Sequence, residues 1–223
     1  MNFESLLSTL DLKHFLQIFV NLLVIIDPVA VVPMFLLLTK HDTAEHKKHI
    51  AFRSTYIATI ILVIFALLGD TILDALAIGE PAFRIAGGLL LLFAAIDMVI
   101  VKDSAIRSTT SDENKEASQK ADISVFPLAI PLIAGPGAMT TIIMHMRSPE
   151  ISASFLSQGI VIVILAFVLL INYYCLVYAE RLSKMLGVTG TNVVTRVFGI
   201  ILAAMAIQFM LNGIQLFVKV VAG

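Results

Sequence analysis

Charge is scarce in this chain. Asp, Glu, Lys and Arg make up 14% of its 223 residues, against about 25% in an ordinary soluble domain, which leaves too little to cover a water-exposed surface. Cysteine occurs once, at Cys175, and this excludes an internal disulfide. No GxSxG elbow, phosphate-binding P-loop or dinucleotide fingerprint is present, so catalysis of the soluble type has no support and the chain reads as neither an enzyme nor a cofactor protein. His41, His46 and His49 in "KHDTAEHKKHI" match no closed metal-site spacing and read as a solvated charged face. The first residues, "MNFESLLSTLDLK", have an acid before their first base, which argues against a cleaved signal peptide. A net charge of −1 gives no sign of a nucleic-acid partner.

Apolar residues dominate instead: 59% of the chain is hydrophobic and its mean hydropathy is +0.97. Between Asp122 and Arg147, Glu150 and Glu180, and Arg196 and Lys219 lie uncharged windows of 24, 29 and 22 residues. Each is long enough for a helical membrane span of about 20 residues. Three further spans are expected at about 15–38, 54–73 and 85–101. In hydrocarbon the backbone is satisfied only by helices or closed barrels, and these runs are too long for the alternating strands of a barrel. The expected fold is therefore an all-α membrane protein of six transmembrane helices, with the lipid bilayer as its first partner.

With six spans, Lys13, Arg84, Arg147 and Lys219 fall on one side of the membrane and the other eleven of the 15 Lys and Arg on the opposite side. The positive-inside rule makes the richer side cytoplasmic and both termini external.

The only long polar segment, residues 102–122, divides the chain into 1–101 and 123–223, with three spans in each. The two halves are similar. "FRIAGGLLLLFAA" from Phe83 matches "TRVFGIILAAMAI" from Thr195, pairing Arg84 with Arg196 and Gly87 with Gly199. Asp27-Pro28 likewise matches Gly135-Pro136. Three helices per copy is an odd number, so the second copy enters the membrane from the opposite side: the repeats are inverted, a plan common among secondary transporters.

The matched prolines suggest where a site lies. Asp27 and Gly135 each sit about 18 Å into a layer roughly 30 Å thick, at 1.5 Å per residue. Proline breaks a helix interior, so Pro28, Pro33, Pro131 and Pro136 are expected to interrupt their helices, but it suits a helix's first position, with Asp or Gly as N-cap. Helices 1 and 4 are thus expected to break near the midplane, each offering a half-helix N-terminus that attracts an anion. Gly135 and Gly137 would let a solute approach the backbone. Asp27, if ionised, suits an ammonium and, if protonated, could carry a proton. The candidate substrate site is Asp27, Pro28, Gly135, Pro136, Gly137, Thr140 and Thr141, and its ligand a small zwitterionic solute.

Asn21, Thr140, Thr141, Asn172, Gln208 and Asn212 also lie inside spans. Each could line a cavity, with interhelical hydrogen bonding the commoner role. Gly87, Gly88 and Gly199 read as sites of close helix packing, Arg84 and Arg196 as interfacial anchors, and His145 as interfacial.

"IDPVAVVPMF", "FRIAGGLLLLFAAIDM", "ISVFPLAIPLIAGPGAMTTII" and "TRVFGIILAAMAIQFMLNGI" together resemble the MarC family of bacterial integral membrane proteins over essentially the whole chain. Where the family often has a glycine two residues after the first proline, this chain has Ala30. The resemblance implies a six-span inner-membrane protein, similar to neutral amino acid transporters grouped with exporters of the lysine-exporter type, moving solutes such as alanine or glycine. The family name implies multiple antibiotic resistance, yet no residue pattern here indicates a large drug pocket. No ATP-binding motif is visible, so coupling would be to an ion or solute gradient. The rival expectation is a non-transporting membrane scaffold or regulator. A homo-oligomer is left open.

Overall fold

The structure, a computed structural model, describes residues 12–100 and 122–222. The expected linker at 102–122 lies outside the described residues apart from Asp122.

Among the described residues every regular element is helical: α1 (Leu12–Ile26), α2 (Pro28–Leu38), α3 (Ala44–Ala75), α4 (Glu80–Ile100), an irregular wide-turned segment (Ser124–Ile133), α5 (Pro136–Met146), α6 (Pro149–Ser152), α7 (Phe155–Val177) and α8 (Ala179–Ala222). Five apolar helical stretches are long enough to cross a membrane, taking Lys13–Leu38 as one, and Ser124–Met146 makes a sixth if its two bent pieces count together. The chain is thus an all-helical, multi-pass membrane protein.

Helix ends follow local chemistry. Thr43 caps α3 by accepting the His46 N–H, and Glu45 in the first turn suits the positive end of the helix dipole. α3 begins ten residues earlier than the apolar run because the charged "AEHKKHIAFR" stretch is helical too. The chain between the last two expected spans is also helical, as the first part of α8. Gly187 interrupts it with φ 63° and ψ −179°, a conformation open almost only to glycine.

Burial separates an inner layer from an outer one. Half of the apolar window in Lys13–Leu38 is buried, against 22–33% in α3, α4, α7 and α8. Thr140 through Met146 of α5 are all buried. The outer helices turn Leu67, Phe93, Val163, Phe167 and Ile200 outward, an apolar surface suited to lipid.

α4 and α8 form the most extensive helix pair. Small residues recur at seven-residue steps, Gly88 and Ala95 on α4 facing Gly199, Ala206 and Gly213 on α8. A methyl group on Gly199 would lie 3.1 Å from the Ala95 carbonyl oxygen, one on Gly88 2.7 Å from that of Ala206, and one on Gly213 2.9 Å from that of Pro81. The helices are therefore antiparallel and in backbone contact, the arrangement that lets Cα–H groups meet carbonyls where hydrophobicity supplies no drive between helices. This agrees with the packing role read for Gly88 and Gly199. Gly87 packs elsewhere, against the Thr140 methyl.

Gly88→Ala and Gly199→Ala should each destabilise the protein by about 1–3 kcal/mol through overpacking. Gly159→Ala, where a methyl would meet no atom within 4 Å, should be neutral or stabilising by up to about 1 kcal/mol. Thermal unfolding in detergent micelles checks the contrast.

Candidate functional site

The first span stops and restarts around one residue. Asp27 has φ 46° and ψ 68°, left-handed values that Asp tolerates better than most residues. Pro28 is the cause, because its ring disfavours the right-handed helical region for the residue before it. The amide of Asp27 still donates to the Leu23 carbonyl at 3.0 Å, and Asp27 Oδ1 accepts the Ala30 N–H at 3.3 Å. The carboxylate, wholly buried, thus caps the half-helix α2.

The second interruption is built differently. Phe126 and Ile130, each ahead of a proline, take extended backbone values near φ −128° and ψ 125°, and the Ala134 amide reaches back five residues to the Ala129 carbonyl at 2.8 Å. The segment meets α5 at 53°. Gly135 is extended and has no side chain to cap α5, so the first N–H groups of that helix lack the covering that Asp27 gives α2. A methyl on Gly135 would lie 2.5 Å from the Pro131 carbonyl oxygen, which makes glycine necessary there.

These two interruptions are neighbours. A methyl on Gly137 would lie 2.8 Å from Ile25 Cδ1, two residues before Asp27. The space beside them is a cavity of about 30 Å³ among Ile25, Leu90, Ala94, Pro131 and Gly135–Ala138. That is about the share of liquid volume taken by one water, too small for an amino acid. Pro28 is buried, Gly135 and Gly137 half-buried, and Pro136 exposed. Thr141 Oγ1 is buried without a hydrogen bond, and Thr140 points its methyl at Gly87.

Larger cavities lie toward either end of the bundle. One of about 440 Å³ is lined by His14, Asn21, Arg84, His145, Gln208 and Asn212 among others. Another of about 300 Å³ is lined by Phe35, Leu36, Lys47, Lys48, Tyr178 and Arg181 among others. Beside the latter, Lys47 Nζ donates to Glu180 Oε1 at 2.8 Å. Between them lies a core containing the fully buried Leu22, Ile26, Leu91, Ile133 and Ile142.

The pattern described as "MarC family integral membrane protein" matches residues 12–218. The chain belongs to the MarC family. Similar MarC-type relatives are a UPF0056 membrane protein of Buchnera aphidicola subsp. Schizaphis graminum, 34% identical over 94% of this chain and 95% of its own length, and UPF0056 membrane protein YvbG of Bacillus subtilis, 35% identical over 89% and 93%. UPF0056 membrane protein YhcE of Escherichia coli is 34% identical over 92% and 94%. No solved structure matches the chain at a significant level.

In this MarC chain only some of the polar span residues take the interhelical hydrogen-bonding role that the sequence favours. Asn21 does bond across helices, its Nδ2 lying 3.3 Å from His145 Nε2. Gln208 instead donates to Asn212 within α8 at 2.9 Å, and all four line the 440 Å³ cavity. Asn172 is fully buried with neither amide atom hydrogen-bonded. His145, read as interfacial, is 8% exposed.

Replacing Asp27 should separate its two backbone roles. Asp27→Asn keeps a capping oxygen and a residue tolerant of left-handed φ, and should unfold near the wild-type temperature. Asp27→Ala loses both and should cost about 1–3 kcal/mol, with Asp27→Gly between them. Thermal unfolding in detergent reads the order.

Proposed function

We propose that the protein is a secondary transporter or exporter of small neutral amino acids or similar small solutes. The observation that carries this reading is the adjacency of the two chain interruptions, seen in the approach of Gly137 to Ile25. Two half-helix starts at neighbouring positions, the first buried and the second half-buried, bring a carboxylate and N–H groups without a side-chain cap to one region, a pairing complementary to a zwitterion.

Two features support inverted three-helix repeats, 1–101 and 123–223, with helices 1 and 4 broken near the midplane. The third spans of the two halves, α4 and the later part of α8, pack on each other antiparallel through small residues, Gly199 against Ala95 and Gly88 against Ala206, the kind of pairing that a two-fold axis in the membrane plane would bring about. Also, the first interrupted span borders both end cavities, α1 the larger and α2 the smaller, and the second borders the larger through α5. Alternating access would open the small space at Gly135–Ala138 toward each in turn. The distribution of Lys and Arg supports both termini facing away from the cytoplasm, and the inner membrane and the likeness to lysine-exporter-type transporters, which the family resemblance implies, belong to the same reading.

Counterflow of labelled alanine or glycine in proteoliposomes is the test. Exchange above protein-free vesicles is expected, and Asp27→Asn should reduce it at least about tenfold while the protein stays folded. A correctly inserted protein without exchange of either amino acid would instead point to the scaffold role.

A further inference from the structure

The cavity of about 440 Å³ at the Arg84 end serves the transport reading only as a passage to the interruptions deeper in the bundle, and its own chemistry is not used there. Its volume falls in the range of small-molecule sites, about 300–1,000 Å³. Its walls come from five elements: α1, the start of α4, the end of α5, the start of α6 and α8. A gap between helices facing lipid would be apolar, yet this one gathers Arg84, Glu150, His14, Asn21, Gln208 and Asn212.

The chemistry of these groups is directional. Arg84 has 15% of its side chain exposed, and Glu80 Oε1 takes its Nε at 2.8 Å and its Nη2 at 2.6 Å. A guanidinium has five N–H donors, so Glu80 fixes the orientation of the fork and leaves donors for the cavity. Glu150, also on the wall, forms no ion pair among the described residues and supplies the opposite charge. His14 Nε2 is buried without a hydrogen-bond partner. His145, more than nine-tenths buried, is held by Asn21 and has Phe209 edge-on at 6.3 Å, which closes the wall. Beyond Asn21 the wholly buried Leu22 and Ile26 separate the cavity from the interruption at Asp27.

We propose that this cavity is a second solute site, remote from the interruptions, that binds a small zwitterion with its carboxylate on Arg84 and its ammonium on Glu150. A ligand with one charge of each sign leaves the charge of the cavity unchanged and satisfies both groups. The amides of Gln208 and Asn212 supply both donors and acceptors for a polar solute. The proposal rests on the transport reading for the class of solute, but binding here does not require transport.

The test is equilibrium binding of labelled alanine to the purified, delipidated protein in detergent, alongside counterflow. Wild type should bind alanine, with propionate and ethylamine, each carrying only one of the two charges, roughly tenfold weaker or more. Arg84→Gln and Glu150→Gln should each weaken alanine binding by a similar factor. Glu150 is exposed on the rim, so its variant carries little risk to folding. Asp27→Asn should retain alanine binding at this cavity while losing counterflow. Unchanged binding in both Arg84→Gln and Glu150→Gln, equal binding of propionate, or no alanine binding by wild type would overturn the proposal. So would displacement of alanine by glycerophosphoethanolamine at lower concentration than by glycine, which would assign the cavity to a lipid headgroup. Counterflow that persists while those variants bind normally removes this site and leaves transport standing; loss of counterflow in wild type with cavity binding intact does the reverse.

Discussion

A peptide group in hydrocarbon must find a hydrogen-bond partner inside the protein, and that constraint shapes this fold. It makes every regular element among the described residues a helix. It also makes proline expensive, because proline removes one N–H and pushes the residue before it out of the helical region. The chain keeps Pro28, Pro33, Pro127, Pro131 and Pro136 within its apolar spans; α2 runs on through Pro33, and the others need local remedies. At Pro28 the remedy is Asp27, which turns left-handed, keeps its amide on Leu23 and covers the Ala30 N–H with its own carboxylate. At Pro131 it is a wider turn, with Ala134 reaching back to Ala129.

The interruptions can be accommodated because the surrounding helices do not depend on them. α4 and α8 hold each other through backbone approach at Gly88, Gly199 and Gly213, a contact in which side-chain volume has been removed from the seam. α3 is tied at one end to α8 by Lys47 and Glu180, and at the other to α5 by Arg147, which reaches Asp70 at 3.3 Å and Asp74 at 3.4 Å. These ion pairs sit at the two ends of α3, where side chains reach water, while its middle is apolar. The inner spans are thus enclosed by helices whose packing is mutual.

Sequence made the helical class, the six apolar stretches and the family legible, because each rests on composition or on long runs that tertiary context does not override. The positions of Asp27 and Gly135 ahead of prolines were legible for the same reason: the pre-proline restriction is local. The packing role of Gly199 followed from its place in an apolar run. The cavities did not follow, since they depend on which helix faces show polar groups to one another. Asn21 and His145 are 124 residues apart and meet only through the packing of α1 on α5. Arg84 had a good local explanation as an interfacial anchor, and nothing in its neighbourhood announced Gln208 or Asn212 beside it. The helicity of 179–195 was hidden because its charged and polar residues read as loop, whereas its exposed Met185 and Val188 suit a membrane surface.

The two interruptions are chemically unequal, and this bears on how they could work together. Asp27 brings a side chain that caps its own half-helix through the Ala30 N–H, a 3.3 Å contact long for a charge-assisted bond, and a carboxylate can accept further donors beside that one. Gly135 brings no side chain, and a solute carboxylate approaching α5 displaces no protein group from its first turn. Under the proposed transport reading, an anion at the second start would meet N–H groups without a side-chain cap, and a cation at the first would share a carboxylate already used as a cap. The joint between the two half-helices is Asp27 itself, the single residue between them, where a modest change in φ and ψ would re-aim the whole of α2.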